Sequence, residues 1–416
     1  MALTRVTPNI IAVANNVTNK TVGNTTSIPS FTFDGAGVVT AASNVAISGA
    51  GITANTVANS AFQTGSVENY MRGAGLGFGM RNRIINGAMV IDQRNAGASV
   101  TPTNGQYTLD RFAISIGGGE TGKLSIQQNA GSVTPPAGFT NYLGVTSLSA
   151  YTVPTANWFT LLHQIEGLNV GDLAWGTANA KTITLSFWVR SSLTGTFGGA
   201  LNNSGNSRNY PYSYTISAAN TWEYKTVTIA GDTTGTWLTT NGIGIQVGFA
   251  LGAGTTESGT AGAWTATRAF SATGATSVVG TNGATFYITG VQLEVGSTAT
   301  SFDYRPYGTE LLLCQRYFQI FVNNTGIANS TTGFRVPAPL QAPMRATPTV
   351  SSTGVLEISY PGSAQYTQSS AGVSIDTGNA NGVIVQCDNF SGLTAQRVYF
   401  FLRANNNNTI LLSSEL

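Results

Sequence analysis

Residues 183–192 read ITLSFWVRSS, and the reading of this stretch decides the fold class. Ile183, Leu185, Phe187 and Val189 occupy every second position, and Trp188 and Arg190 fall on the alternate ones. Successive side chains of a strand point to opposite faces, so this period of two predicts a half-buried β-strand with Trp188 and Arg190 turned away from the main core. The same alternation recurs outward along the chain in YPYSYTIS (210–217), YKTVTIAG (224–231), GIGIQVGFALG (242–252) and FYITGVQLEVG (286–296). Clusters of Gly, Asn and Thr separate these segments at spacings suited to turns, and no sustained helical period intervenes. All six tryptophans fall in this region, from Trp158 to Trp264. Residues 81–308 are therefore expected to form an antiparallel β-sandwich with its own aromatic core.

The flanks differ. Residues 1–80 carry no Trp and a single Tyr, and read as short strands punctuated by glycine, as in FTFDGAGVVT and NVAISGAGITANTVANSAF. One such chain cannot bury enough apolar surface to offset its conformational entropy, which predicts a shaft or attachment segment built by several intertwined copies. The run Gly73 to Gly79, GAGLGFG, reads as a flexible joint after it. Beyond residue 308, Thr309 is expected to cap a short helix over ELLLCQRYF. Strand-like TGVLEISY (353–360), GVIVQCDNF (382–390) and QRVYFFLRA (396–404) then predict a smaller β domain over 309–416. The fold class is all-β throughout.

Composition excludes several function classes. Charged residues make up 9% of the 416 and the formal net charge is +2, so no dense basic stripe exists for binding nucleic acid by counterion release. The apolar runs are far shorter than the roughly 18 residues a membrane span requires, which argues against membrane insertion. The opening MALTRVTPNIIAVANN lacks the pattern of a secretory signal. Cys314 and Cys387 are too few for a disulfide framework and read as two small buried residues.

Catalytic constellations are scarce. GGGETGKL (117–124) nearly matches a phosphate-binding loop but places Leu124 where a hydroxyl is needed and continues into a strand, so it reads as a hairpin loop. His163 is the only histidine, lies in an alternating segment opposite in face to Glu166, and has no GxSxG elbow to serve. Glycan hydrolysis would need a close carboxylate pair, whereas Glu166, Asp172, Glu223 and Glu294 are scattered one per strand. Non-catalytic sugar binding needs only aromatic faces and planar polar groups. The candidates are Trp188 and Arg190 on the outer face of their strand, Tyr210, Tyr212 and Tyr214 alternating onto one side of theirs, and Trp237 and Trp264 in Gly/Thr-rich loops. Among these Trp264 is the strongest, because the small residues of AGAWTATR offer nothing to enclose an indole. Trp222, at the start of a strand, is expected to belong to the fold instead.

Several phrases taken in order resemble phage and prophage tail-fibre proteins. They are NRIINGAMVIDQRNAG (82–97), NGQYTLDRFAIS (104–115), ITGVQLEVGSTATSFDYRPYGTELLLCQRYFQ (288–319), PAPLQAPMRATPTV (337–350) and SSEL (413–416), preceded by the shaft-like IPSFTFDGAGVVTAASN (28–44). The resemblance implies an elongated homotrimeric fibre of the virion tail, with other tail proteins as partners. It implies a jelly-roll domain like a carbohydrate-binding module that engages host surface polysaccharide, with no cofactor. Many such jelly rolls hold a structural calcium through acidic residues in the last strand. Thr289 and Gly290 stand there in this chain, so no metal is expected, Asp92 and Glu294 being weak ligands at best. A fibre-borne depolymerase and a purely structural spacer are the rival functions.

Overall fold

The computed structural model turns the alternation of 183–192 into an interior strand of a sheet, with Ile183, Leu185, Phe187 and Val189 buried. It describes residues 27–37, 39–46, 80–321, 324–360, 365–402 and 409–416. Within the first eighty residues these include a two-stranded antiparallel hairpin, β1 (Ser27–Phe33) with β2 (Val39–Ala46). Phe31 and Phe33 on it are 47% and 58% exposed. The remainder of the shaft expectation, and the GAGLGFG joint, lie outside the described residues.

The sandwich is made of β3 (Tyr107–Leu109), β4 (Phe112–Ile116), β5 (Leu124–Gln128), β6 (Leu143–Ser147), β7 (Trp158–Glu166), β8 (Ile183–Ser191), β9 (Gly195–Asn202), β10 (Asn209–Ile216), β11 (Glu223–Ile229) and β12 (Ile243–Ala253). A short parallel pair, β13 (Ser258–Gly259) with β14 (Ser271–Ala272), and the long β15 (Thr285–Val295) complete it. One sheet has six strands in the order β10-β9-β12-β7-β4-β3 and the other five in the order β11-β8-β15-β6-β5. Aromatic rings join the two layers: Phe187 meets Phe249 edge-on at 5.0 Å, and Phe197 lies 6.2 Å from Phe286. Strand β9 escapes a propensity reading because TFGGALN is glycine-rich. The glycine at 199 is required by close approach, since a Cβ there would sit 2.2 Å from the Gly248 carbonyl oxygen and 2.4 Å from the Tyr212 ring. The GGGETGKL segment is not a hairpin loop as its sequence suggests. It carries the chain from β4 in the six-stranded sheet to β5 in the five-stranded one.

The helix α1 spans Tyr307–Gln315 and begins two residues before Thr309, so Thr309 is not its cap. Glu310 in its first turn accepts from the Asn86 backbone N–H and pairs with Arg305. Pro306 stands at the N-cap and makes no side-chain cap bond, and Glu310 places negative charge in the first turn, where the helix dipole favours it. After α1 come β16 (Phe318–Phe321), β17 (Thr325–Ala328), β18 (Phe334–Ala338), β19 (Thr349–Ser352), β20 (Glu357–Ser359), β21 (Gln365–Thr367), β22 (Val373–Asn379), β23 (Gly382–Cys387), β24 (Val398–Leu402) and β25 (Ile410–Ser413). They form a three-stranded sheet, β16-β25-β19, and a seven-stranded one, β21-β20-β24-β17-β18-β23-β22, around a core distinct from that of the sandwich. Cys314 and Cys387 are free and buried. No helix among the described residues is long and apolar enough to cross a membrane.

A buried ionic joint fastens the C-terminal sheets to the sandwich. Arg111, 1% exposed, pairs with Glu415, donates to the Gln164 carbonyl at 2.5 Å and lies flat over Tyr317 at 3.6 Å. Arg94 reaches the other Glu415 oxygen at 2.6 Å. Glu166 takes two bonds from Arg316, at 2.9 and 2.7 Å, and one from the Tyr317 hydroxyl at 2.8 Å. Asn86 holds the Ile91 and Asp110 carbonyls through its Nδ2 and accepts from the Ile91 N–H. Every charge is met by an opposite charge or hydrogen bonds, the condition under which buried ions are tolerated.

Candidate glycan-binding groove

The outer face of the five-stranded sheet carries Ser186, Trp188 and Arg190 of β8, as their alternation requires. In the antiparallel register of β8 and β11, Trp188 stands opposite Tyr224, and the two rings lie 5.4 Å apart at 49°. Next to β8 on its other side, β15 bulges between Thr289 and Gln292. Gly290 occupies the bulge with φ of +61°, where a Cβ would stand 2.6 Å from the Phe139 ring and 3.1 Å from Trp188. Only glycine lets these two aromatics close in from opposite sides. Beyond β15 the segment 296–304 crosses back over the sheet. Glu294 accepts from the Thr300 N–H at 2.8 Å and its hydroxyl at 2.7 Å, while the Gln292 side-chain oxygen accepts from the Asp303 N–H at 2.7 Å. This strap delivers Phe302 and Tyr304, which group with Phe139 at ring distances of 5.1 to 6.3 Å.

The result is a groove of about 510 Å³, within the range of small-molecule sites, with Trp188 and Tyr224 on one side and Phe139, Phe302 and Tyr304 on the other. Ser186, Gly290, Thr300 and Ser301 also line it. Tyr224 is 43% and Tyr304 54% exposed, so their ring faces are open to solvent. The indoles of Trp158, Trp175, Trp222, Trp237 and Trp264 each donate to a protein acceptor, whereas that of Trp188 finds none among the described residues. Stacking faces and exposed hydroxyls, those of Ser301, Tyr224 and Tyr304, in one concave surface can hold a sugar ring by C–H contacts and hydrogen bonds.

Of the residues singled out from sequence, the structure brings only Trp188 into this groove. Arg190 sits on the same face two residues on, but its Nε donates to the Asn220 carbonyl at 2.9 Å and its guanidinium lies over Tyr287. Tyr210, Tyr212 and Tyr214 do alternate onto one side, yet that side is the sandwich interior. Tyr212 donates to the Gly248 carbonyl at 2.8 Å, and burial pushes its phenol well above the usual tyrosine range. Edge strand β10 turns its aromatics inward because they fill the space left by the glycines of β9.

Trp237 and Trp264 lie outside the groove, half-buried against the sandwich core. With Trp175 they form a cluster whose ring centres lie 4.7, 5.3 and 5.4 Å apart, and Tyr210 adds an edge contact to Trp264 at 5.1 Å. The Trp264 indole donates to the Ala230 carbonyl at 2.8 Å. Residues distant in sequence thus cover part of the indole, which its small sequence neighbours do not. Trp222 donates to the Thr134 carbonyl and packs edge-on against Tyr142, as a fold residue should.

The residues that sequence reading missed are Phe139, Tyr224, Phe302 and Tyr304. Tyr224 was visible in principle: it shares its period-two face with Thr226 and Thr228, and an aromatic on an otherwise hydroxylic strand face is a binding signal. Phe302 and Tyr304 lie within a family-like phrase, SFDYRP, whose role in the strap depends on tertiary contacts.

His163 is buried with Nε2 near the Ile85 backbone, and burial first, then Arg111, holds it neutral, well below its ordinary pKa. Glu166, Asp172, Glu223 and Glu294 each serve a separate partner: Arg316, Arg83, Lys225 and the Thr300 strap contact. Asp92 caps the Asn95 and Gly97 N–H groups. Among the described residues no three His, Cys, Asp or Glu side chains cluster as a metal site.

No protein-family model matches the chain, and no curated protein does. Among solved structures it is similar to the enzymatically active domain of tailspike protein 4 of Bacteriophage CBA120, with a TM-score of 0.27 and 10% identity, over 52% of this chain and 22% of that one. The chain thus spans about a fifth of that tailspike domain's length. It is similar to a structure described as CBM4, with a TM-score of 0.25 and 16% identity over 51% of this chain and 99% of that one. A family 11 carbohydrate-binding module from Clostridium thermocellum matches with a TM-score of 0.24 and 13% identity, over 49% and 97%.

Proposed function

We propose that this protein is a homotrimeric phage tail-fibre subunit that binds host surface polysaccharide without cleaving it. Its 81–308 sandwich, a jelly roll in this reading, acts as the sugar-binding element. The observation that carries the proposal is the groove in which half-buried Trp188 meets exposed Tyr224 and Tyr304, lined by hydroxyls and by no carboxylate. A depolymerase needs two carboxylates facing one cleft, and a spacer has no use for open stacking faces. Residues 1–80 would join other tail proteins in the virion and intertwine with their copies. The hairpin β1–β2 supports this, because two strands alone are marginal in water and Phe31 and Phe33 lie open. Three grooves on one body bind a repeating glycan by effective concentration, so weak sites suffice. Incubating labelled full-length protein with candidate host cells tests the reading: it should decorate them and block virion adsorption, while releasing no oligosaccharide. Absence of decoration on every cell that the virion infects would overturn it.

A further inference from the structure

The groove's chemistry narrows its ligand. Resting on the glycan-binding reading above, we infer that it takes an uncharged pyranoside segment and rejects uronic, sialic and phosphorylated sugars. Of the twelve residues that line the groove four are alanine or glycine, and the rest, five aromatic and three hydroxylic, include no charged side chain.

The charged groups nearby are committed elsewhere. Glu294 is spent on Gln292 and the Thr300 backbone and hydroxyl. Asp303 accepts from the Asn82 N–H at 3.1 Å, and Arg305 pairs with Glu310. Arg190 is tied to Asn220 and stacked over Tyr287, and Arg81 donates to the Ser301 carbonyl at 3.4 Å. Lys225 neighbours Tyr224 in sequence but points to the other face of β11, where it meets Glu223 at 2.6 Å. A carboxylate or phosphate entering between Trp188 and Tyr304 would lose water and gain no cation in return, a cost that hydroxyl contacts do not offset. A neutral ring instead presents apolar C–H faces to the aromatics and its hydroxyls to Ser301 and to the phenol oxygens of Tyr224 and Tyr304.

A polysaccharide array with defined neutral polymers (dextran, galactan, glucomannan, rhamnan) and acidic ones (polygalacturonate, hyaluronan, polysialate, teichoic acid) tests this directly. Full-length protein, Trp188→Ala and Tyr304→Ala would be compared at low and high salt, with melting curves to show that both variants fold. The expected result is binding confined to neutral polymers, lost by about tenfold or more in each variant and changed less than about twofold by salt. Acidic polymers bound in a Trp188-dependent and salt-sensitive manner would overturn the neutral-ligand inference while leaving the groove as the site. Binding that survives both substitutions, or no binding to any polymer, would overturn the groove reading itself.

Discussion

The groove and the ionic joint are built by opposite chemistry on one sandwich. The joint buries Arg111, Glu415, Glu166 and their partners, each answered by an opposite charge; Arg94, Arg111, Arg316, Tyr317 and Glu415 come from phrases that resemble tail-fibre sequence, and Glu166 comes from β7 outside them. The groove has no charge in its lining; its Phe139, Trp188 and Tyr224 come from segments that match no phrase, and its Phe302 and Tyr304 from the phrase at 288–319. Specific geometry among buried ions demands particular residues in particular places, so the joint writes itself into short motifs. Stacking on a sugar demands only a ring and an open face, so the groove leaves little trace in sequence. The quoted phrases therefore supply most of the joint but only the strap side of the groove, and Phe139, Trp188 and Tyr224 lie outside them.

The largest effect should come at the joint. Glu415→Ala leaves Arg111 buried with no carboxylate and should lower stability by about 3–5 kcal/mol in denaturant unfolding, while protein that remains folded adsorbs normally. A change below about 1 kcal/mol would show that the joint is solvated and the contrast false.

Smaller effects separate the buried tyrosines from the exposed ones. Tyr212→Phe removes a bond to the Gly248 carbonyl and should cost about 1–2 kcal/mol. Tyr214→Phe removes a buried hydroxyl with no hydrogen-bond partner among the described residues and should be neutral or stabilising. Equal losses in the two variants would contradict the placement of β10.

The joint should also respond to pH where the groove does not. Burial pushes the Asp110 carboxyl up to about 6 from its ordinary 3.8, against Arg94 and two bonds from Gln93. The folded state thus binds the proton more tightly than the unfolded chain. This contribution is fully present below about pH 4 and is lost as pH rises through 6, with a slope of at most about 1.4 kcal/mol per unit. Asp110→Asn should remove that component from the stability–pH curve. An unchanged curve would mean that Asp110 titrates normally.

Much of the fold was legible. Period-two alternation located β8, β10, β11, β12 and β15 within a residue or two, because one buried face constrains every second position. Glycine-rich β9 carried no such pattern, and the crossing of GGGETGKL between sheets depends on partners far along the chain. The site was legible at Trp188 alone. Trp237 and Trp264 lay in loops, and enclosure by Trp175 and Tyr210 is a tertiary fact that flanking small residues hide.

Trp188 and Trp264 carry the central claim between them, since the first is assigned to ligand and the second to packing. Adsorption to host cells and melting temperature would be measured for Trp188→Ala and Trp264→Ala side by side. The account predicts that Trp188→Ala loses adsorption by about tenfold or more with little change in melting, and that Trp264→Ala melts several degrees earlier while its folded fraction adsorbs as the parent does. Wild-type adsorption by Trp188→Ala, or lost adsorption with unaltered melting in Trp264→Ala, would contradict it.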